Sequence, residues 1–103
     1  GGSAEEALAI AQRFEGTEQP FFADTLAWAY FQNGNVEQAN AYSQIAVDGI
    51  NGPNAEVLYH RGVIAAATGD AETARDVLTQ ALEAPGKTEK VSPEVIQSAL
   101  DAL

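Results

Sequence analysis

The chain contains no cysteine and no methionine, a single histidine, a single tryptophan, and only five lysines and arginines. Without cysteine there is no disulfide, no thiolate nucleophile and no sulfur ligand for a metal. His60 is the one imidazole, and neither Ser43 nor Ser92 stands at a recognisable spacing from a base, so the parts of a nucleophilic catalyst are missing and no enzyme is expected. The five bases face fifteen acids for a net charge of -10, a surface that repels phosphate backbones and excludes nucleic acid as a partner. No apolar run approaches the ~18 residues needed to cross a bilayer, so direct membrane insertion is not expected. No basic segment leads into an apolar stretch as in a signal peptide. Neither Glu5-Glu6 nor Asp70-x-Glu72 has the ligand count or loop geometry of a calcium or zinc site; these acids suit solvated faces and the positive ends of helices. No metal or cofactor is expected. His60 is expected as a partly exposed helix residue.

What is present is 46% apolar residues over 103 positions, enough for one compact domain. Gly1-Gly2-Ser3 reads as a cloning remnant on a piece of a longer chain, leaving a single domain over residues 4–103. Ser3 with Glu6 fits a capping box, and Ala4, Ala7, Ala11 and Phe14 share one face of a first helix over about 4–14, ended by Gly16. Pro20 suits the first turn of a second helix over about 20–33, whose apolar residues cover two faces. Asn33-Gly34-Asn35 closes it and opens a third helix, with Asn35 as cap, over about 36–49. Gly49 to Pro53 is a loop; Asn54 caps a fourth helix to about Thr68, and Gly69-Asp70 repeats the tight turn before a fifth over about 71–84. After Pro85-Gly86 and a polar connector, Ser92-Pro93-Glu94 starts a last amphipathic helix to about 102.

The turns at Gly34 and Gly69 lie 35 residues apart, and each precedes a seam of small residues: Val36, Ala39, Ser43, Ala46 and Ile50, then Ala71, Ala74, Leu78 and Ala81. A fixed period with small side chains at the closest helix contacts marks stacked helical hairpins. The matches at this spacing, Gly34/Gly69, Glu37/Glu72, Ala39/Ala74 and Ala46/Ala81, fall at the turn and along the seam.

The segments DTLAWAYFQNGNVEQANAYSQIA and VLYHRGVIAAATGDAETARDVLTQALEA resemble two tetratricopeptide repeats. The small positions of that family fall on Ala27, Ala39 and Ala46 and on Gly62, Ala74 and Ala81, with Tyr30 and Gly34 also matching in the first unit. Ala65 replaces the second tyrosine, Pro53 comes late, and Ala23 and Leu58 stand where an aromatic is usual. The resemblance implies an all-α, right-handed α-α superhelix of about six antiparallel helices: 4–19 as the second helix of a preceding repeat, 20–53 and 54–87 as two repeats, and 92–103 as a capping helix.

It also implies a non-catalytic scaffold that binds another protein or a peptide in a concave groove. By position, that groove would show Phe21, Asp24, Trp28, Phe31 and Gln32, then Glu56, Tyr59, Val63 and Ala66. Aromatic side chains among polar neighbours suit binding hot spots; the alternative is that Trp28 and Phe31 are covered by helices four and one. The Lys, Arg and Asn residues with which chaperone-binding members grip a C-terminal carboxylate are not matched by Asp24, Trp28, Gln32, Tyr59 and Val63, so an apolar or basic peptide is expected. A different expectation is assembly. With its preceding helix upstream, the first helix would bare Leu8, Ile10 and Phe14 for homodimerisation. Resemblance to bacterial repeat proteins of secretion and polysaccharide export would place such a module in an envelope complex or the cytoplasm.

Overall fold

The computed structural model describes residues 2–103, and among them there are six α-helices and no strand. These are α1 (Gly2–Ala11), followed by a 3₁₀ turn over Gln12–Phe14, then α2 (Pro20–Gln32), α3 (Val36–Gly49), α4 (Ala55–Ala67), α5 (Ala71–Glu83) and α6 (Pro93–Asp101). Each helix packs on the next in sequence, and α2 also touches α4. That skipped contact sets the leading helices of two hairpins side by side as one wall. The helical repeat fold expected from the 35-residue period is the one observed.

The two tight turns are built alike. The Asn35 amide donates to the Tyr30 carbonyl and the Gly34 amide to Phe31; thirty-five residues on, Asp70 donates to Ala65 and Gly69 to Ala66. Each is the paired 6→1 and 5→2 closure of a helix end, which needs a left-handed residue. Gly34 and Gly69 supply it, at φ 81° and 88°. The turns differ in their caps. Asp70 accepts the Thr73 amide at 3.1 Å, whereas Asn35 makes no side-chain capping bond, contrary to expectation.

The Thr73 hydrogen bonds hold the Asp70 carboxyl below the usual aspartate range. A folded-state value below the unfolded one means that the unfolded chain binds more protons in between. The cap therefore contributes fully above the ordinary aspartate value and is lost as pH falls through the folded one. We expect Asp70→Asn, which keeps an acceptor, to flatten the acid limb of the stability curve below about pH 4 with little change at pH 7. Thermal melts across that range check it.

Three local expectations are corrected. Ser3 lies inside α1 and does not cap it; Gly1, also assigned to the remnant, lies outside the described residues. The first helix stops at Ala11 instead of continuing to Phe14, because the tighter 3₁₀ turn swings Phe14 onto Phe22, with rings parallel at 4.3 Å. Gly49 is the last residue of α3 and not loop; its missing side chain lets Pro20 lie against it.

Ala27, Ala39, Ala46, Ala74 and Ala81 are all fully buried, as the seam required. The apolar interior joins α1, α2 and α3 around Leu26 and Ile64, and α4, α5 and α6 around Leu78 and Ile96. Ile64 and Val57 reach from α4 into the first hairpin's core, so the two hairpins share one interior. Four polar side chains are also buried: Asp24, Ser43, His60 and Arg61. The Arg61 guanidinium donates to Asn40 at 2.6 Å and to Ser43 at 3.3 Å, tying α4 to α3. Burial lowers its pKa, while Asp70 and Asp48 act in the opposite direction.

Candidate functional site

Pro20 in the first turn of α2 and the Asn54 cap of α4, which accepts the Val57 amide at 3.1 Å, fix the rotational phase of two adjacent helices. Residues three, four and seven apart then share a face. Glu56, Tyr59 and His60 on α4 are set beside Asp24, Trp28 and Gln32 on α2.

Two adjoining depressions lie over this face, and Trp28, Gln32, Glu56 and His60 line both. One, of about 260 Å³, is walled by Ala7 and Ala11 of α1. The other, of about 400 Å³, is bounded by Tyr59 and by Lys90 and Val91, which precede α6. Together they form a groove with α1 on one side, the α2–α4 wall as floor and the Lys90–Val91 segment on the other side.

The floor is held by one polar pair and one stack. Nδ1 of His60 is 2.8 Å from Oδ1 of Asp24, and the imidazole lies on the Trp28 indole at 4.0 Å with an 18° tilt. Asp24 and His60 are each only 7% exposed, which overturns the expectation of a partly exposed histidine. Burial is tolerated because each satisfies the other. Oxygen and nitrogen donors from Asp24, Glu56 and His60 lie within 4.8 Å of one another, a grouping absent from the sequence reading.

The structure sorts the expected groove residues. Trp28, Gln32, Glu56 and Tyr59 line the groove, and Asp24 lines its floor, mostly buried and paired to His60. Phe31 is half-buried, stacked on Trp28 at 5.2 Å and joined to the α1–α2 core, so the covering that was the alternative for Phe31 is the arrangement seen. Phe21 lies elsewhere, 59% exposed beside Gln19 and Phe22. Val63 is half-buried and lines neither depression, and Ala66 is exposed. Of the three residues expected to self-associate, Leu8 packs on the α1–α3 core and Phe14 stacks on Phe22; Ile10 is 59% exposed.

His60, Lys90, Val91 and the α1 alanines were not anticipated. The repeat spacing aligns His60 with Thr25, which is exposed, so no register signal pointed inward. It aligns Arg61 with Leu26, a core residue, and that alignment did carry the information that position 61 is buried.

The family model for the tetratricopeptide repeat matches residues 56–85, from the second residue of α4 to just past α5. Within this chain the stretch 56–85 is similar to one tetratricopeptide repeat. No curated protein and no solved structure matches the chain. Tetratricopeptide repeats are generally non-catalytic modules that bind other proteins or peptides, so the repeat speaks for an interaction scaffold. The matched tetratricopeptide unit supplies Glu56, Tyr59 and His60 to the groove, together with the close helix contact at Gly62. No helix among the described residues is long and apolar enough to cross a membrane.

Proposed function

We propose that the groove binds a short peptide or partner helix carrying apolar and basic side chains. The observation that carries this reading is a continuous concave surface, shared by α1, α2 and α4, that combines Trp28 and Tyr59 with the carboxylates of Asp24 and Glu56. Aromatic rings supply large contact area at low entropic cost, and acids in a shallow cleft attract and orient cationic side chains. Lys90 is the base at its rim, and the net charge of -10 steers acidic ligands away. In this reading residues 20–53 and 54–87 are successive repeats, 4–19 is the trailing helix of a preceding one, and 92–103 is the cap.

The test is a titration of basic-apolar and acidic peptides followed by Trp28 fluorescence. Basic-apolar peptides should bind, and Tyr59→Ala with Gln32→Ala should weaken them about tenfold or more, the loss of one hot spot. Those two residues are preferable to Trp28 and Phe31, which also hold the fold. Tight binding of an acidic C-terminal peptide would sink the proposal. Assembly is the second reading, favoured by the exposure of Ile10, Phe21 and Phe22 at 59%, 59% and 45%. It requires a change in solution mass when Ile10→Lys or Phe21→Lys is made, which a groove binder would not show.

A further inference from the structure

We propose that Asp24, Glu56 and His60 form a binding site for a divalent transition-metal ion of the zinc class in the floor of the groove. Glu56 and His60 sit one turn apart on α4, and Asp24 faces them from α2; one donor atom from each lies within 4.8 Å of the others. Zinc binds imidazole nitrogen and carboxylate oxygen at about 2.0–2.2 Å, which sets adjacent ligands roughly 3 Å apart. Nδ1 of His60 and Oδ1 of Asp24 are already at 2.8 Å. An ion entering there takes the place of the hydrogen between them, and the neutral imidazole then carries its hydrogen on Nε2, which leaves Nδ1 free to ligate. Glu56, exposed at the mouth, completes three protein ligands by a rotamer change and leaves further positions to water. One nitrogen with two carboxylate oxygens suits Zn²⁺, Co²⁺ or Ni²⁺, whereas Mg²⁺ and Ca²⁺ favour all-oxygen sets.

A second observation separates this arrangement from a sealed core pair. All three residues line the 260 Å³ depression, so the pair is open to an incoming ion. The His60 side chain is 91% buried, yet its hydrogen bonds among the described residues include no partner for Nε2. No fully buried polar side-chain atom lacks a partner among those residues, so Nε2 is not sealed from solvent. Trp28 stacked on the ring holds its plane, and both first ligands are carried by helices, which presets the geometry. The net charge of -10 adds a field that concentrates cations.

Trp28 is the one tryptophan and touches His60, so a paramagnetic ion bound there should quench its fluorescence. The experiment titrates chelator-treated protein with Ni²⁺ followed by fluorescence, and with Zn²⁺ followed by calorimetry. We expect one ion per chain and quenching by Ni²⁺ that excess Zn²⁺ reverses. Glu56→Gln, at an exposed position, should keep the melting temperature and weaken Zn²⁺ at least tenfold, while Glu37→Gln on α3 should change nothing. His60→Gln should abolish the quenching; if that variant fails to fold, Glu56→Gln decides alone. Several weak equivalents insensitive to Glu56→Gln, or Zn²⁺ binding with no quenching by Ni²⁺, would overturn the site. The result does not depend on the peptide proposal, since neither measurement uses a peptide.

Discussion

Gly62→Val is expected to cost about 3 kcal/mol or more and to lower the melting temperature by roughly 15 °C. A Cβ at Gly62 would lie 2.5 Å from Cγ and 2.7 Å from Cδ2 of Leu78, inside any allowed contact. Leu78 cannot step aside, because it is fully buried among Ala74, Ala81 and Ile96. Gly62→Ala tests the same contact more gently: the gain in helix propensity of about 1 kcal/mol opposes an overpacking cost of about 1–3 kcal/mol. The first hairpin shows how the chain handles this contact when the small residue is larger. One repeat earlier Ala27 stands in place of Gly62 and Ser43 in place of Leu78, so a larger small residue goes with a smaller neighbour. Leu78→Ala alone should cost about 2–5 kcal/mol through the cavity it leaves. Combined with Gly62→Ala it should cost at least about 1 kcal/mol less than the sum, because the new methyl fills part of that cavity. Denaturant melts of the four proteins give the coupling directly, and strict additivity would show that the two side chains do not share the space.

That contact also explains why the architecture was legible in the sequence while half of the site was not. A repeat writes its closest approaches as small residues at a fixed spacing, because any larger side chain there parts the helices. Ala39 and Ala74, Gly34 and Gly69 were therefore visible, and Ala39 and Ala74 are fully buried. The glycine turns followed from backbone sterics alone. The Asp24–His60 pair obeys no such periodicity, since it joins residues 36 apart through side chains whose repeat counterparts, Tyr59 and Thr25, are of different chemistry. A hydrogen bond between two hairpins depends on how they dock, and docking is encoded by volumes distributed over many residues. Position on a helix face told which residues could reach the groove. It did not tell which would be drawn into its floor by a buried partner, as Asp24 is, or covered by a neighbouring ring, as Phe31 is.

Ile96→Ala should cost about 3 kcal/mol for removing a fully buried isoleucine side chain. Helix α6 is short, and Ile96 is its one fully buried residue; Ala99 and Leu100 are only partly covered. The Ser92 cap, accepting the Val95 amide at 3.2 Å, and Pro93 in the first turn start the helix, but they cannot hold it against α5. Ile96 does, by filling the space beside Val77, Leu78 and Val91. Were α6 merely a solvating end piece, the substitution would melt nine residues locally and leave the main transition in place. The shared core argues for the opposite: amide exchange in α5 should accelerate together with α6, and the global midpoint should fall. Val91 gives the change a functional reading. It is 2% exposed, belongs to the same apolar cluster as Ile96, and forms the groove wall together with Lys90. Loosening α6 thus frees one side of the groove without touching its floor. Ile96→Ala should weaken a peptide lying against Tyr59 and Lys90 while leaving Zn²⁺ affinity at Asp24, Glu56 and His60 within about twofold, a difference that the calorimetric and fluorescence titrations can resolve on one preparation held below its lowered melting temperature.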